Sequence, residues 1–511
     1  MEELESSGQL VSLLASGARF TQAAMVLSAH RQDEDTRASN QHVGPSLVFA
    51  RLWKETGCQA VIDQLLRGRA FGFSVERAIL LTVIHRLMSP GSDRAASQWM
   101  ADHTLEGSTS LSLHHLYRAM GWLGEQSLQL GHDARSLRCR KDLIEEELFR
   151  RNRDLFSELE LVFFDTTSLY FEGQGGESLG QYGHSKDHRP DLKQMVVGAV
   201  LDGAGRPICC ELWPGNLTDV SSLIPVIKRL KSRFGIASVC VVADRGMIST
   251  QTIEKLESPE LGMSYILGAR MHRDKTVRDE VLASSEKFQV VTAAKKTTGD
   301  PSPLSVREQW VGEKRYVVCY NEDQARKDAA DRKAIVESLK EKLKSGDKSL
   351  VGNKGYRRYL KSAGKEHFTV DEAKLAKEQL FDGMWVLRTN TAFPAAEVAL
   401  KYKQLWMVES IFRSAKSLLE TRPIYHKVDD TIRGHVFCSF LALVLRKELE
   451  TRLEKHGTKP EWADINRDLR ALQEVEVEMH GKKLYLRTDL RGVCNTVLQA
   501  VGVAAPPTVR E

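Results

Sequence analysis

Asp165 stands where a carboxylate is costly. It closes the apolar, β-prone run Leu161-Val162-Phe163-Phe164, and a charge in such surroundings must be paired or must coordinate a cation. Asp244 follows a second run, Val239-Cys240-Val241-Val242-Ala243, and precedes Arg245-Gly246. The chain therefore turns where ligands gather in α/β sheets, at strand ends. If the two strands are neighbours the carboxylates meet, and an adjacent pair favours a hard cation held through oxygen, as magnesium is held beside phosphates. Taken singly, each aspartate reads more readily as a cap or turn residue. Glu409 supplies a third carboxylate. Tyr402, Leu405, Glu409, Phe412, Lys416 and Leu419 recur at steps of three and four, which share one helix face. That stripe points Glu409 inward as a candidate third metal ligand. The alternative is an amphipathic helix whose Glu409 and Lys416 fringe a core.

The elements that must position these residues are legible as a change of texture. From about Pro45 to Asn152 the pattern is helical, with Leu80, Val83, Ile84 and Leu87 on one face and Pro90-Gly91-Ser92 as a break. At Leu161 it turns to strands: Leu161 to Asp165, Met195 to Leu201 and Ile208 to Trp213, the last two joined by the turn Asp202-Gly203-Ala204-Gly205. A helix capped near Asp219 follows, then the strand Val239 to Ala243, a helix over Thr250 to Leu256 and the strand Tyr265 to Leu267. The order β-β-β-α-β-α-β implies an α/β core in which the first and fourth strands lie side by side. Residues 272–383 break that rhythm with strand signals at Phe288 to Val291 and Tyr316 to Cys319 and a charged helix at Glu322 to Lys344. They read as an insertion. The strand Met384 to Leu387 closes it, one long helix is expected from Ala395 to Glu420, and the remainder reads as mainly helical. The expected divisions are a helical N-terminal region 1–157, a core in two parts at 158–271 and 384–450, the insertion 272–383, and a helical C-terminal region 451–511.

Several basic groups surround this framework. The polar loop Gly183-His184-Ser185-Lys186-Asp187-His188-Arg189-Pro190-Asp191-Leu192-Lys193 offers Lys186, Arg189 and Lys193 to a phosphate. Its histidines suggest zinc only weakly, since no fourth ligand is suitably spaced. Lys348 to Lys365 holds six basic residues, Arg357 and Arg358 among them, no acid, and the interleaved Tyr356 and Tyr359. That stretch reads as a DNA surface or as a solvated face. Arg135, Arg138, Arg140, Lys141, Arg150, Arg151 and Arg153 are basic too, but acids dilute them.

Phe164-Asp165-Thr166-Thr167, Ala243-Asp244-Arg245-Gly246 and Trp406-Met407-Val408-Glu409-Ser410-Ile411-Phe412-Arg413 resemble the three acidic motifs of DDE transposases from bacterial insertion sequences. Tyr402, Glu409 and Lys416 match three of the four positions of the Y-R-E-K signature that marks insertion-sequence family four, while Leu405 occupies the arginine place. Asn216 and Asp219 resemble a further family motif. The resemblance covers roughly residues 160–445. It implies an RNase H-like mixed sheet flanked by helices, interrupted by a largely β-stranded insertion. It also implies two Mg2+ ions, replaceable by Mn2+, held by Asp165, Asp244 and Glu409, with DNA contacts from Tyr402, Lys416, Arg413 and Arg245. The implied activity is cleavage at the terminal inverted repeats of the element and strand transfer into target double-stranded DNA, by a dimer on the DNA. An RNase H-like nuclease without strand transfer, or an inactive DNA-binding relative, are the alternatives. Loss of an acidic ligand would favour the last, and all three acids are present.

Composition agrees with a folded polypeptide: 511 residues, 42% hydrophobic and 28% charged. The formal charge of +5 from 73 basic and 68 acidic residues is too small to prove a polyanionic partner. Val436 to Leu445, the longest apolar run, falls short of the roughly 20 residues that cross a bilayer. Glu2, Glu3 and Glu5 replace the basic start of a secretory signal, so a cytoplasmic protein is expected, and the resemblance implies a bacterial, nucleoid-associated one. The eight cysteines form no C-x-x-C pair, and disulfides and zinc knuckles are not expected.

Overall fold

A computed structural model describes residues 37–126, 138–152, 160–236, 239–293, 301–345, 359–362, 368–479 and 482–510. Along the chain run β1 (Arg37–His42), α1 (Gly44–Glu55), α2 (Cys58–Leu66), α3 (Val75–Met88), α4 (Asp93–Trp99), α5 (Leu113–Gly124) and α6 (Arg140–Arg151). Next come β2 (Leu161–Tyr170), β3 (Gln194–Asp202), β4 (Pro207–Pro214), α7 (Asp219–Arg233), β5 (Cys240–Ala243), α8 (Thr250–Glu257) and β6 (Ser264–Gly268). Then follow β7 (Gln289–Thr292), β8 (Leu304–Val311), β9 (Lys314–Tyr320), α9 (Glu322–Ser345), β10 (Leu360–Ser362), β11 (Phe368–Val370), α10 (Glu372–Gln379) and β12 (Met384–Thr389). The last part holds α11 (Ala395–Lys403), α12 (Trp406–Arg413), α13 (Asp429–Lys455), α14 (Trp462–Ala471), β13 (Gln473–Met479), β14 (Lys482–Arg487), α15 (Cys494–Val501) and β15 (Val509–Arg510). The fold is mixed α/β, a large mixed sheet flanked by helices. Among the described residues no helix is long and apolar enough to cross a membrane.

The chain divides into two compact units. The first combines residues 1–159, 166–218 and 408–511. Its helices start where serines cap them: Ser74 accepts a hydrogen bond from Arg77 N at α3, and Ser92 from Ala95 N at α4. The central helix α13 carries the apolar run 436–445 as a core segment, with Phe437, Leu441 and Leu445 fully buried. It crosses α5 backbone to backbone. A Cβ on Gly434 would stand 1.9 Å from Met120 O, and one on Gly124 1.9 Å from Asp430 O, so any larger residue forces these helices apart. The C-terminal region differs from the helical expectation. β13 pairs with β1 and β14, and β15 completes the sheet. Its signal is the alternation of Gln473-Glu474-Val475-Glu476-Val477-Glu478-Met479 and of Lys482-Lys483-Leu484-Tyr485-Leu486-Arg487, the period of a strand with one face covered.

The second unit, residues 160–165 and 219–407, carries the other acidic strands. Leu161 to Phe164 of β2 pair in parallel with Cys240 to Ala243 of β5, and β5 pairs in parallel with β6. β12 is antiparallel to β6, and β9, β8 and β7 continue outward from it, each antiparallel to the last. Continuous apolar runs form β5 and β6 because both faces are covered; α11 packs on β5, β6, β8 and β9, and α8 on β6. Of the strands of residues 272–383, β7, β8 and β9 therefore extend this sheet. α9, α10 and the β10-β11 hairpin enclose a small core of Leu339, Tyr359 and Leu375.

The single helix expected over 395–420 is three pieces. Gln404 N and Leu405 N bond back only three residues, to Lys401 O and Tyr402 O, which tightens the chain between α11 and α12. Ser414–Leu418 then loosens into a π-helical turn. Each departure from 3.6 residues per turn rotates the side chains that follow, yet Leu405, Phe412 and Leu419 of the expected stripe are all buried. Glu409 is the casualty: Val408 and Phe412 are buried and Glu409 is exposed, not turned inward.

Candidate active site

Parallel pairing of β2 and β5 ends at Phe164 opposite Ala243, so the next residues, Asp165 and Asp244, are neighbours where β5 ends and β2 runs on to Tyr170. Adjacent strands lie about 4.8 Å apart. Asp165 is half-buried within a strand otherwise buried from Leu161 to Leu169. The Tyr402 hydroxyl donates to Asp244 Oδ1 at 2.9 Å. Burial, then the Asp244 carboxylate, push the Tyr402 phenol far up, and Asp165 adds to the effect, so the tyrosine stays protonated and remains a donor. The sequence stripe assigned Tyr402 to DNA; its position here is beside the carboxylates.

Two residues that sequence reasoning passed over shape this corner. Gly268, the last residue of β6, lies so close that a Cβ would stand 2.6 Å from Tyr402 Oη and 2.8 Å from Arg245 N. Only glycine leaves room for the phenol that reaches Asp244. Arg270 donates from Nε to Arg245 O at 3.1 Å and from Nη2 to Gly246 O at 3.2 Å, bracing the turn after Asp244 while the Arg245 side chain stays exposed. The signal available in sequence was a strand ending in glycine, Tyr265-Ile266-Leu267-Gly268, two residues before an arginine.

The other expected residues lie as follows. Glu409 and Arg413 belong to the first unit and are exposed. Lys416, also in that unit, is committed: its Nζ donates to Asp187 Oδ1 at 2.8 Å, and Arg422 Nε stands 3.5 Å from Asp187 Oδ2. Burial lowers the Lys416 pKa, with the Asp187 hydrogen bond opposing. Lys186 Nζ donates to Thr166 O at 2.7 Å and Thr166 Oγ1 at 2.9 Å, tying the polar loop to β2. Arg189 is exposed and pairs with Asp191 at 2.8 Å, and Lys193 donates to Gln174 O at 3.1 Å. Arg357, Arg358, Arg135 and Arg153 lie outside the described residues. The sequence reading overlooked Asp187, whose 5% exposed carboxylate organises Lys416 and Arg422.

Two aspartates side by side just past the paired stretch of β2 and β5, Asp165 within β2 and Asp244 after the end of β5, one oriented by a phenol, are an oxygen-only donor set, which suits a hard divalent cation. The family model described as the transposase DDE domain matches residues 157–445, more than half of the chain. The chain belongs to the transposase DDE-domain family. The matched DDE domain contains Asp165, Asp244 and Glu409. A piggyBac transposase synaptic complex with hairpin DNA, solved by electron cryo-microscopy, aligns over 84% of this chain and 78% of that chain at 11% identity, with a TM-score of 0.35. A comparison with curated proteins finds no match.

Asp93, His426 and His435, in the first unit, form another cluster whose donor atoms lie within 4.8 Å of one another. Its cation is already present. The buried Arg86 donates from Nη2 to His435 Nδ1 at 2.8 Å and stands 3.6 Å from Asp93 Oδ1. Arg86 Nη1 is anchored by His435 O and by Ser439 Oγ at 2.6 Å. His435 Nδ1 therefore accepts, and its Nε2 donates to Thr421 O at 3.1 Å. His426 Nε2 lies 3.0 Å from Asp93 Oδ2. Burial works against the charged form of Asp93, but the His426 hydrogen bond and Arg86 hold its carboxyl well below the usual range. Burial, then Arg86, drive His435 far down. A metal ion here would have to displace an anchored guanidinium, so the cluster reads as a satisfied buried network.

Proposed function

We propose that this DDE-family chain cleaves DNA at the ends of an insertion sequence and joins the freed 3′-hydroxyls to target DNA. The carrying observation is the parallel register of β2 and β5, which sets Asp165 and Asp244 side by side just past the last paired residues, Phe164 and Ala243. Antiparallel β3 and β4 followed by parallel β5 and β6 support the RNase H-like reading of the core. Asp165, Asp244 and Glu409 are assigned to hold two Mg2+ ions. When bound, such ions lower the pKa of the attacking hydroxyl and stabilise the leaving oxygen in an in-line displacement. Tyr402 holds the Asp244 carboxylate in orientation through its hydroxyl, and Arg270 braces the backbone behind it. Arg245 and Arg413, both exposed, are assigned to DNA phosphates, with Lys186, Arg189, Lys193, Lys416, Arg357 and Arg358 as further contacts. Tyr402, Glu409 and Lys416 support membership in the Y-R-E-K branch of bacterial insertion sequences, and a dimer on the two DNA ends follows from that assignment.

The test is cleavage of a labelled DNA end of the element with and without magnesium. Asp165→Asn and Asp244→Asn should each abolish cleavage while leaving DNA binding within a few fold, because cationic contacts to phosphates dominate affinity. Cleavage by either variant at near wild-type rate overturns the assignment. Cleaved ends that never become joined to a plasmid would point to a nuclease without strand transfer.

A further inference from the structure

A groove of about 720 Å³ in the first unit lies between the start of α4, α5 and the segment leading into α13. Arg94, Tyr117, Arg422, Tyr425, His426 and Lys427 line it. We infer that this groove binds a single-stranded segment of DNA, with bases stacked on Tyr425 and Tyr117 and phosphates on Arg94, Arg422 and Lys427. The inference rests on the DNA-processing reading and adds a site built from other residues than the carboxylates.

Charge is the first argument. Arg94 and Lys427 are exposed, and neither has an ion pair with a carboxylate among the described residues. Arg422 is half-buried, and its buried Nε is 3.5 Å from Asp187 Oδ2, so only the rest of its guanidinium can face the groove. Asp93, buried beneath it, is paired with the Arg86 guanidinium at 3.6 Å and lies 3.0 Å from His426 Nε2. Glu420 is the other acid of the lining. Permanent positive charge therefore exceeds negative charge at the mouth, and an anionic ligand is favoured.

Ring exposure is the second. Tyr425 is 62% exposed and Tyr117 38%, and Tyr117 is steadied edge-on against His426 at 5.6 Å between centroids. Exposed rings interleaved with cations suit nucleobases whose faces are free, which a single strand offers and a duplex hides within its stack. Backbone geometry agrees with a built loop. Glu420 has φ of +46°, a left-handed conformation that a side-chain-bearing residue adopts at a cost and that clusters at ligand sites.

The experiment uses the full chain in buffer with EDTA, so that metal-bound carboxylates contribute nothing, and reads fluorescence anisotropy of a labelled oligothymidine and of a duplex of equal length. Tyr425→Ala should weaken oligothymidine binding by about ten-fold or more, and Tyr425→Phe should hold it within about two-fold, since stacking needs the ring and not the hydroxyl. Duplex binding should be unmoved by either. Arg94→Ala and Lys427→Ala should each flatten the dependence of log K on log salt by about 0.7. Absence of oligothymidine binding by the wild-type chain, Tyr425→Ala binding like wild type, or an equal loss on duplex overturns the proposal. Asp165→Asn should bind oligothymidine as the wild type does. A chain that fails to cleave DNA yet loses single-strand binding on Tyr425→Ala refutes the catalytic reading and keeps the groove.

Discussion

Gly268→Ala is the sharpest perturbation of the corner that holds Asp244. The new Cβ would stand 2.6 Å from Tyr402 Oη and 2.8 Å from Arg245 N, where ordinary contacts begin at 3.4 Å. Relief at the phenol alone needs a displacement of 3.4 − 2.6 = 0.8 Å. The hydroxyl so displaced is the one that donates to Asp244 at 2.9 Å, and a shift of that size directed away from the carboxylate breaks the bond. Relief at Arg245 moves the backbone next to Asp244 instead. Either route misplaces a carboxylate proposed to hold metal, and misplacements near 1 Å cost on the order of 100-fold in rate. Overpacking should also lower stability by about 1–3 kcal/mol. The assays are magnesium-dependent nicking of supercoiled plasmid and thermal unfolding in EDTA. Tyr402→Phe removes one of the two clashing atoms, so the double variant should lose less stability than the sum of the singles, with a coupling of about 0.5–3 kcal/mol. Wild-type nicking by Gly268→Ala, or strict additivity with Tyr402→Phe, refutes the reasoning.

Glu409→Gln should leave thermal stability in metal-free buffer unchanged, because the side chain is exposed, and should abolish cleavage; retained cleavage removes Glu409 from the proposed ligand set. Lys416→Ala strips Asp187, only 5% exposed, of its 2.8 Å partner and leaves Arg422 at 3.5 Å. Unfolding should show a loss of about 1–3 kcal/mol, and weakened DNA engagement should recover at low salt, whereas wild-type behaviour at every salt concentration contradicts the pair's importance. Burial, then Arg86, lower the His85 pKa to about 4. The unfolded chain then binds the extra proton between pH 6.5 and about 4, so stability contributed above pH 6.5 falls away on acidification. By pH 5 the loss from this residue is on the order of 2 kcal/mol, and His85→Gln should flatten that part of the unfolding profile measured between pH 7 and 5.

Legibility followed the range of the interaction that shapes each element. β3, β4, β5, β6 and β12 match their expected runs to within two residues because apolar composition alone marks a strand covered on both faces, whereas β2, expected to close at Asp165, runs on to Tyr170 through the polar Thr166-Thr167-Ser168. The first-and-fourth-strand pairing was inferred from order, and the parallel register of Leu161 to Phe164 with Cys240 to Ala243 agrees. β13 and β14 were passed over because Glu474, Glu476 and Glu478 in the first and Lys482, Lys483 and Arg487 in the second lower the mean hydropathy that suggests a strand. β8, Leu304 to Val311, carries Arg307 on its buried side, where the guanidinium donates to Val281 O and Leu282 O. A buried arginine satisfied by distant carbonyls has no local signature.

The carboxylates and their supports differ in the same way. An aspartate closing an apolar run is conspicuous because its cost is local, and Asp165 and Asp244 stand out on that ground. What holds them is non-local: Tyr402 reaches Asp244 from 158 positions away, and Gly268 matters only because that phenol passes beside it. The same long-range packing explains the misreading of Glu409. Periodicity assumes one uninterrupted helix, yet Gln404 and Leu405 tighten the chain and Ser414 to Leu418 loosen it, with neither proline nor glycine between Ala395 and Glu420 to announce the changes. A stripe drawn through both irregularities joins residues that serve different partners: Tyr402 turns to Asp244, Lys416 turns to Asp187, and Glu409 is left facing outward. An exposed carboxylate on an unstrained turn of helix is poorly explained as a core boundary, because it contributes nothing to that core. Exposure removes the inward-facing reading of Glu409, and the proposed ligand role stands or falls on whether Glu409→Gln abolishes cleavage.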